Sequence, residues 1–195
     1  MTEHYQAYFC EENIWHLARR ISGVVLFISN SQNQFAIWKQ KLAEQEKQES
    51  FGRDMAYIMW DYHVVLAHGP QETSRFENLS QYITQQDCLI YDFDSILRSP
   101  CPAKHYFSES FPVEKYSTST DFRPLFRIIE GKEYVERFWS DRSHMKNERQ
   151  EWSASPPSWP CIMSKENAPL RLSELLNFQE QQNTRLFRLE DFLFS

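Results

Sequence analysis

Apolar residues recur along this chain with two periods, and the period assigns the elements. Ile14, Leu17, Ala18 and Ile21 follow Cys10, Glu11, Glu12 and Asn13 at helical spacing, which predicts a helix over residues 11–20 with Cys10 at its N-terminus. Acid in its first turn suits the positive end of the helix dipole. Residues 23–29 form a β-branched and aromatic run of buried-strand length, 30–34 carry turn chemistry, and 35–38 predict a short second strand. Residues 40–54 are polar and charge-rich, an exposed helix or loop. The strongest predicted strand runs over 57–68. Its alternation sets Asp61, His63 and Val65 on one face and Trp60, Tyr62 and Val64 on the other. After a polar loop over 71–86, with room for one helical turn, residues 88–97 predict a second strong strand that pairs with the first as a long-looped antiparallel hairpin. Pro100 and Pro102 end it, and a Ser/Thr/Pro-rich connector is expected to run to Thr120. A strand over 123–129, a short helix over 133–139 after Gly131, and a rigid proline-rich strap over 156–161 whose Trp159 seeks burial come next. Ser173 is the expected cap of a helix opened by Glu174, and 186–194 close the chain as an amphipathic segment. The pattern is that of an α+β fold.

Composition narrows the class. At 195 residues the chain is long enough for one domain with a real core, so 1–195 read as a single domain. A formal net charge of -6 excludes a nucleic-acid surface, which needs a basic field. With only four glycines there is no phosphate-cradling Gly-rich loop. The longest aliphatic or aromatic run, 24–28, is far short of a membrane span, and the first nine residues lack the basic and apolar regions of a signal peptide. The four cysteines, at 10, 88, 101 and 161, form no C-x-x-C pair, which disfavours a zinc site or a disulfide framework and leaves free thiols in an intracellular protein.

A free thiol invites a search for its partners. Cys10, His63 and a carboxylate from Asp92 or Asp94 are the parts of a Cys-His-Asp nucleophilic site. The helix start lowers the Cys10 pKa and the two following glutamates raise it, so the net shift stays open. Asp92 and Asp94 share a face by alternation, so periodicity does not choose between them. Bland readings stand beside these: a buried cysteine acting as a small hydrophobe, a core histidine, aspartates that merely cap a strand end.

With those stretches in view, the chain resembles the protein N-terminal glutamine amidohydrolases. The resemblance is carried in order by Cys10-Glu11-Glu12-Asn13-Ile14-Trp15, residues 25–30, Ile37-Trp38-Lys39-Gln40, Trp60-Asp61-Tyr62-His63-Val64-Val65, Ile90-Tyr91-Asp92-Phe93-Asp94, residues 140–145 and residues 156–161. It implies a fold similar to papain-like and transglutaminase-like thiol enzymes, an antiparallel sheet with flanking helices and the catalytic cysteine at a helix N-terminus. It implies Cys10 as nucleophile, His63 as general base and acid, and Asp92 as the orienting carboxylate. The implied reaction converts an N-terminal glutamine of a protein or peptide to glutamate with release of ammonia, feeding the Arg/N-degron pathway. It uses no metal or organic cofactor and is carried out by a monomer in the cytoplasm, and also the nucleus. The stretches 41–56 and 70–87 look longer than is usual in the family, and nine residues precede the cysteine; neither departure touches a motif.

Selectivity for a terminal glutamine requires reading its free α-ammonium group, and an acid is the natural partner. Asp61, on the expected face of His63, is the first candidate; Glu11, Asp94 and Asp141 are alternatives. Two other classes compete with the amidohydrolase: a papain-like peptidase using the same three residues on main-chain amides, and a non-catalytic module that binds N-termini.

Overall fold

The computed structural model describes residues 4–43, 57–112, 119–179 and 186–192. Its centre is β1 (Val24–Ser29), buried along all six residues. It is flanked antiparallel by β4 (His63–His68) and β7 (Leu125–Glu130). With β5 (Leu89–Tyr91), β6 (Cys101–Pro102) and β10 (Leu186–Arg188), these form a sheet in the order β10-β7-β1-β4-β5-β6, every neighbouring pair antiparallel. The continuous apolar run of β1 follows from its place, since both of its faces are covered. Val24, Leu26 and Ile28 pack with Val65, Ala67, Phe126 and Phe187 on one side. Val25 and Phe27 pack with Val64, Leu66, Ile14 and Tyr134 on the other. Each such side chain contributes roughly 1.5–3 kcal/mol by burial. Gly23 leads into β1 at φ 154°, where a Cβ would stand 2.1 Å from the Ala67 carbonyl oxygen, so only glycine admits this approach.

Helix α1 (Cys10–Ala18) lies on the second face. Its Trp15 Nε1 donates to the carbonyl of Val135, 3.1 Å away, on the helix Gly131–Arg137. The chain is therefore mixed α and β with a mainly antiparallel sheet and few helices; β8 (Phe138–Trp139) and β9 (Leu170–Arg171) add a short parallel pair. No helix among the described residues is long and apolar enough to cross a membrane.

The hairpin of the two strong strands is present as β4 and β5, but both are shorter than the pattern predicts. The 57–68 run breaks at Asp61 and Tyr62. Its first part, β3 (Tyr57–Trp60), pairs instead with β2 (Phe35–Trp38) in a separate two-stranded sheet. The break is held locally: Asp61 Oδ1 accepts from the Tyr62 N–H at 2.8 Å, and the Asp61 carbonyl accepts from Ser29 Oγ at 2.5 Å. Alternation therefore does not carry from Asp61 to His63. The 88–97 run keeps strand geometry only to Tyr91, because the Asp94 N–H turns back onto Asp92 Oδ1 at 2.9 Å and Ser95 bridges to Gln40. The expected connector after Pro102 contains a helix, Ala103–Ser110, which buries Ala103, Tyr106, Phe107 and Ser110 at i, i+3, i+4 and i+7. Ser173 lies inside the helix Leu172–Leu175, which begins after Arg171 with no side-chain cap. The 70–87 stretch holds one 3-10 turn, Thr73–Arg75, and the helix Leu79–Ile83, capped by Asn78. Most of 40–54 lies outside the described residues, as does the very end of the closing segment, whose described part is β10 and one 3-10 turn.

Candidate active site

Cys10 is the first residue of α1 and 8% exposed. The residue before the N-cap, Tyr8, adopts φ 69°, a conformation costly for an aromatic side chain. Asn13 ties the approach down: its Oδ1 accepts from the Gln6 N–H at 2.8 Å and its Nδ2 donates to the Gln6 carbonyl at 2.9 Å. The opposing influences on the thiol resolve upward. Burial, then the charges of Glu11 and Asp94, hold the Cys10 pKa well above its ordinary value, while a backbone hydrogen bond from Val64 pulls the other way. Cys10 rests as a thiol and needs a base to become a nucleophile.

His63 opens β4, 1% exposed, with its ring stacked at 12° on Trp60. The paired register Leu66↔Tyr91, continued past the end of β5, sets Asp94 opposite His63 and Asp92 diagonally across. The diagonal residue makes the contact: His63 Nε2 and Asp92 Oδ1 are 2.9 Å apart. Asp92 accepts three further hydrogen bonds, from the Asp94 N–H on Oδ1 (2.9 Å) and from Gln40 Nε2 (3.0 Å) and Tyr106 OH (2.8 Å) on Oδ2. Burial opposes its ionisation, but the His63 charge and the hydrogen bonds from His63, Gln40 and the Asp94 N–H outweigh it and hold the carboxyl at about 2. The effect is returned to His63: burial lowers its pKa, yet Asp92, then Asp94 and Glu11, raise it above the ordinary value. With Nε2 on Asp92, Nδ1 is the ring nitrogen left for reacting groups. His63, Asp92 and Asp94 also offer ligand atoms within 4.8 Å of one another, the spacing of a metal site. The four acceptor positions of the Asp92 carboxylate are already taken by protein donors, so its chemistry is that of a fixed anion beside an imidazole.

Asp94 is half-buried and takes Tyr5 OH on Oδ1 at 2.6 Å; burial raises its pKa, and so does Asp92. Asp61, the first candidate for the α-ammonium, is exposed and lines a cavity of about 410 Å³ with Tyr62, Asn33, Ser173 and Leu176. Asp141 is exposed and accepts from the Ser143 N–H at 2.9 Å.

The other two acids follow Cys10 directly, both without solvent exposure. Glu12 holds Arg142 through two 2.7 Å bonds and accepts from Trp159 Nε1 at 2.6 Å, while Arg142 also donates to the carbonyls of Trp159 and Pro160. One buried ion pair thus anchors both the polar 140–145 segment and the proline-rich strap to the first turn of α1. Glu11 accepts from Tyr62 OH at 3.0 Å, and its Oε2 lies 3.8 Å from Cys10 Sγ. Burial, with Glu12 adding, pushes its carboxyl up to about 8.

Gln40 and Tyr106 are the members of this site that periodicity does not find. Tyr106 is recoverable in hindsight from the helical spacing of Ala103, Tyr106, Phe107 and Ser110, which the flanking prolines obscure.

The chain matches the family model described as N-terminal glutamine amidase over residues 5–193. It is similar to the protein N-terminal glutamine amidohydrolase of Danio rerio, 33% identical over 172 residues, covering 84% of this chain and 74% of the relative. The Bos taurus protein of the same name is 34% identical over 167 residues (81% and 70% covered), and that of Caenorhabditis elegans is 32% identical over 186 residues (92% and 88% covered).

Proposed function

The chain belongs to the N-terminal glutamine amidase family, and from that premise we propose that it converts the N-terminal glutamine of proteins to glutamate, releasing ammonia, with Cys10, His63 and Asp92 as the reacting machinery. The observation that carries the assignment of residues is the buried His63–Asp92 pair, 2.9 Å apart, formed where β4 begins and just past the end of β5, on a sheet against which the Cys10 helix start is packed.

The steps follow from the site. His63, oriented by Asp92, removes the Cys10 proton as sulfur attacks the side-chain amide carbon. The oxyanion is stabilised by backbone N–H groups, most simply that of Cys10 at the start of α1, whose helical dipole favours negative charge there. The imidazolium, stabilised by the fixed Asp92 anion, donates its proton to the leaving ammonia and leaves a thioester on Cys10. Water activated by the same imidazole then releases glutamate and restores the thiol. These three residues suffice for the sequence of proton transfers. The arrangement fits a papain-like or transglutaminase-like thiol enzyme, and the reading extends to a monomer acting in the cytoplasm or nucleus.

The test is mass spectrometry of a glutamine-initiated peptide together with the enzyme after an acid quench. The proposal expects glutamate at the peptide N-terminus and an acyl adduct on Cys10. Cleavage of an internal peptide bond would instead mark a peptidase, and binding without conversion a recognition module.

A further inference from the structure

Two adjacent buried glutamates open α1, and they are not equivalent. Glu12 has its cation, Arg142, held by both carboxylate oxygens. Glu11 uses only Oε2, which accepts from Tyr62 OH at 3.0 Å and from the Cys10 thiol at 3.8 Å; Oε1 is buried and has no hydrogen-bond partner. The nearest basic nitrogen to it, His144 Nε2, is 3.7 Å away, beyond hydrogen-bond range, and burial lowers the His144 pKa, so that ring is not a standing counter-charge. A fully buried carboxyl with an idle oxygen is rare in folded proteins, since it forfeits hydration with nothing in return. The groups that face Glu11 are Cys10, Tyr62, His63, His144, Glu12 and Tyr134, whose hydroxyl donates to the Glu11 carbonyl at 3.0 Å; Arg142 also feels the Glu11 charge, but its guanidinium is bonded to both carboxylate oxygens of Glu12.

Every substrate of the proposed reaction carries a cation at a set distance from the reacting atom. The α-nitrogen of glutamine lies four bonds, at most about 5 Å, from the side-chain amide carbon. Attack places that carbon roughly 3–3.5 Å from sulfur. Glu11 Oε2 is 3.8 Å from Cys10 Sγ, so its carboxyl lies within reach of an ammonium whose amide faces the thiol. Resting on the deamidation reading, we propose that Glu11 reads the free α-ammonium group of the substrate, accepting its N–H on the idle Oε1, with the quarter-exposed His144 covering the way in. Asp61 is the outer alternative, but an exposed carboxylate gains little from a cation in water, whereas a buried one gains a neutralising partner. An acetylated terminus brings no charge to this place, so free and blocked N-termini are told apart beside the nucleophile itself.

The test separates binding from chemistry. Cys10→Ala protein holds substrate without turnover, and calorimetry compares a glutamine-initiated peptide with the same peptide lacking its α-amine. The free amine is expected to bind at least about tenfold more tightly. That preference falls below about threefold when Glu11→Gln is added, and Glu11→Asp, which keeps the charge, retains part of it. An undiminished preference in folded Glu11→Gln protein, or collapse of the preference in Asp61→Asn instead, overturns the assignment. Should the Glu11 variants not fold, binding heats of the Cys10→Ala protein in buffers of different ionisation enthalpy decide. Burial pushes the Glu11 carboxyl up to about 8, so docking of the ammonium is expected to release a proton near pH 7; release with the free amine and none with its amine-free analogue supports the site, and no release with either overturns it. Wild-type protein that makes no ammonia would defeat the deamidation reading; ammonia release with the amine preference intact in Glu11→Gln would defeat the Glu11 assignment alone.

Discussion

Arg142→Met tests whether the first turn of α1 is held by the pair it forms with Glu12. Arg142 and Glu12 are 6% and 0% exposed at their side chains, so the substitution leaves Glu12 buried with only the Trp159 N–H, and frees the carbonyls of Trp159 and Pro160 from their guanidinium donor. Breaking one side of a buried ion pair costs about 3–5 kcal/mol, because the surviving charge is left uncompensated. In a chain of this length each kcal/mol moves the thermal midpoint by about 2–4 °C, so a fall of about 10 °C is expected. Methionine keeps the apolar stem, and the left-handed backbone at this position (φ 61°) is no harder for it than for arginine. The assay is thermal unfolding followed by circular dichroism, with denaturant unfolding to give the free energy. Glu12→Gln in the same protein removes the stranded charge while keeping an acceptor for Trp159, and the double variant should recover at least about 1 kcal/mol relative to Arg142→Met alone. A loss under about 1 kcal/mol for the single variant, or strictly additive losses, would refute the reasoning.

Asp92→Asn should lower kcat by about 10³-fold or more with the fold intact, since the amide no longer fixes the His63 tautomer or stabilises its imidazolium; steady-state kinetics beside a thermal melt separates the two effects. Tyr106→Phe removes one of the four donors on Asp92, so the carboxyl pKa rises from about 2 and the variant loses about 1.5–3 kcal/mol of stability, read by denaturant unfolding. For Glu11 the folded pKa of about 8 exceeds the ordinary 4.5, so the native state keeps a proton that the unfolded chain has lost. Wild-type stability therefore falls as pH rises from about 4.5 toward 8, by up to about 5 kcal/mol, and Glu11→Gln should flatten that slope in melts taken across this range.

The parts of this molecule legible in its sequence are those where one period governs a whole element. Residues 24–28 of β1 are apolar because the strand is covered on both faces, and Ile14 faces the sheet because α1 is amphipathic. The short strands fail for a local reason: the Asp61 and Asp92 side chains accept from nearby backbone N–H groups and turn the chain out of strand geometry, which a pattern of apolar positions does not register. The same turn at Asp92 seats its carboxylate beside His63, so the place where strand reasoning stops is the place where the site begins. Tyr106 was hidden behind two prolines, and Arg142 within a segment whose polarity reads as solvated although its guanidinium is buried against Glu12. Partners so distant in sequence, 130 residues apart for that pair, leave no periodic trace.

The most direct measurement is ammonia release from three short peptides, beginning with free glutamine, acetylated glutamine and asparagine, with Cys10→Ala protein run alongside. The account predicts release from the free glutamine peptide alone and its loss in the variant, because the acetylated terminus brings no cation and one fewer methylene moves the amide away from the thiol. Undiminished release by Cys10→Ala protein, or none from any peptide with the wild type, would contradict it.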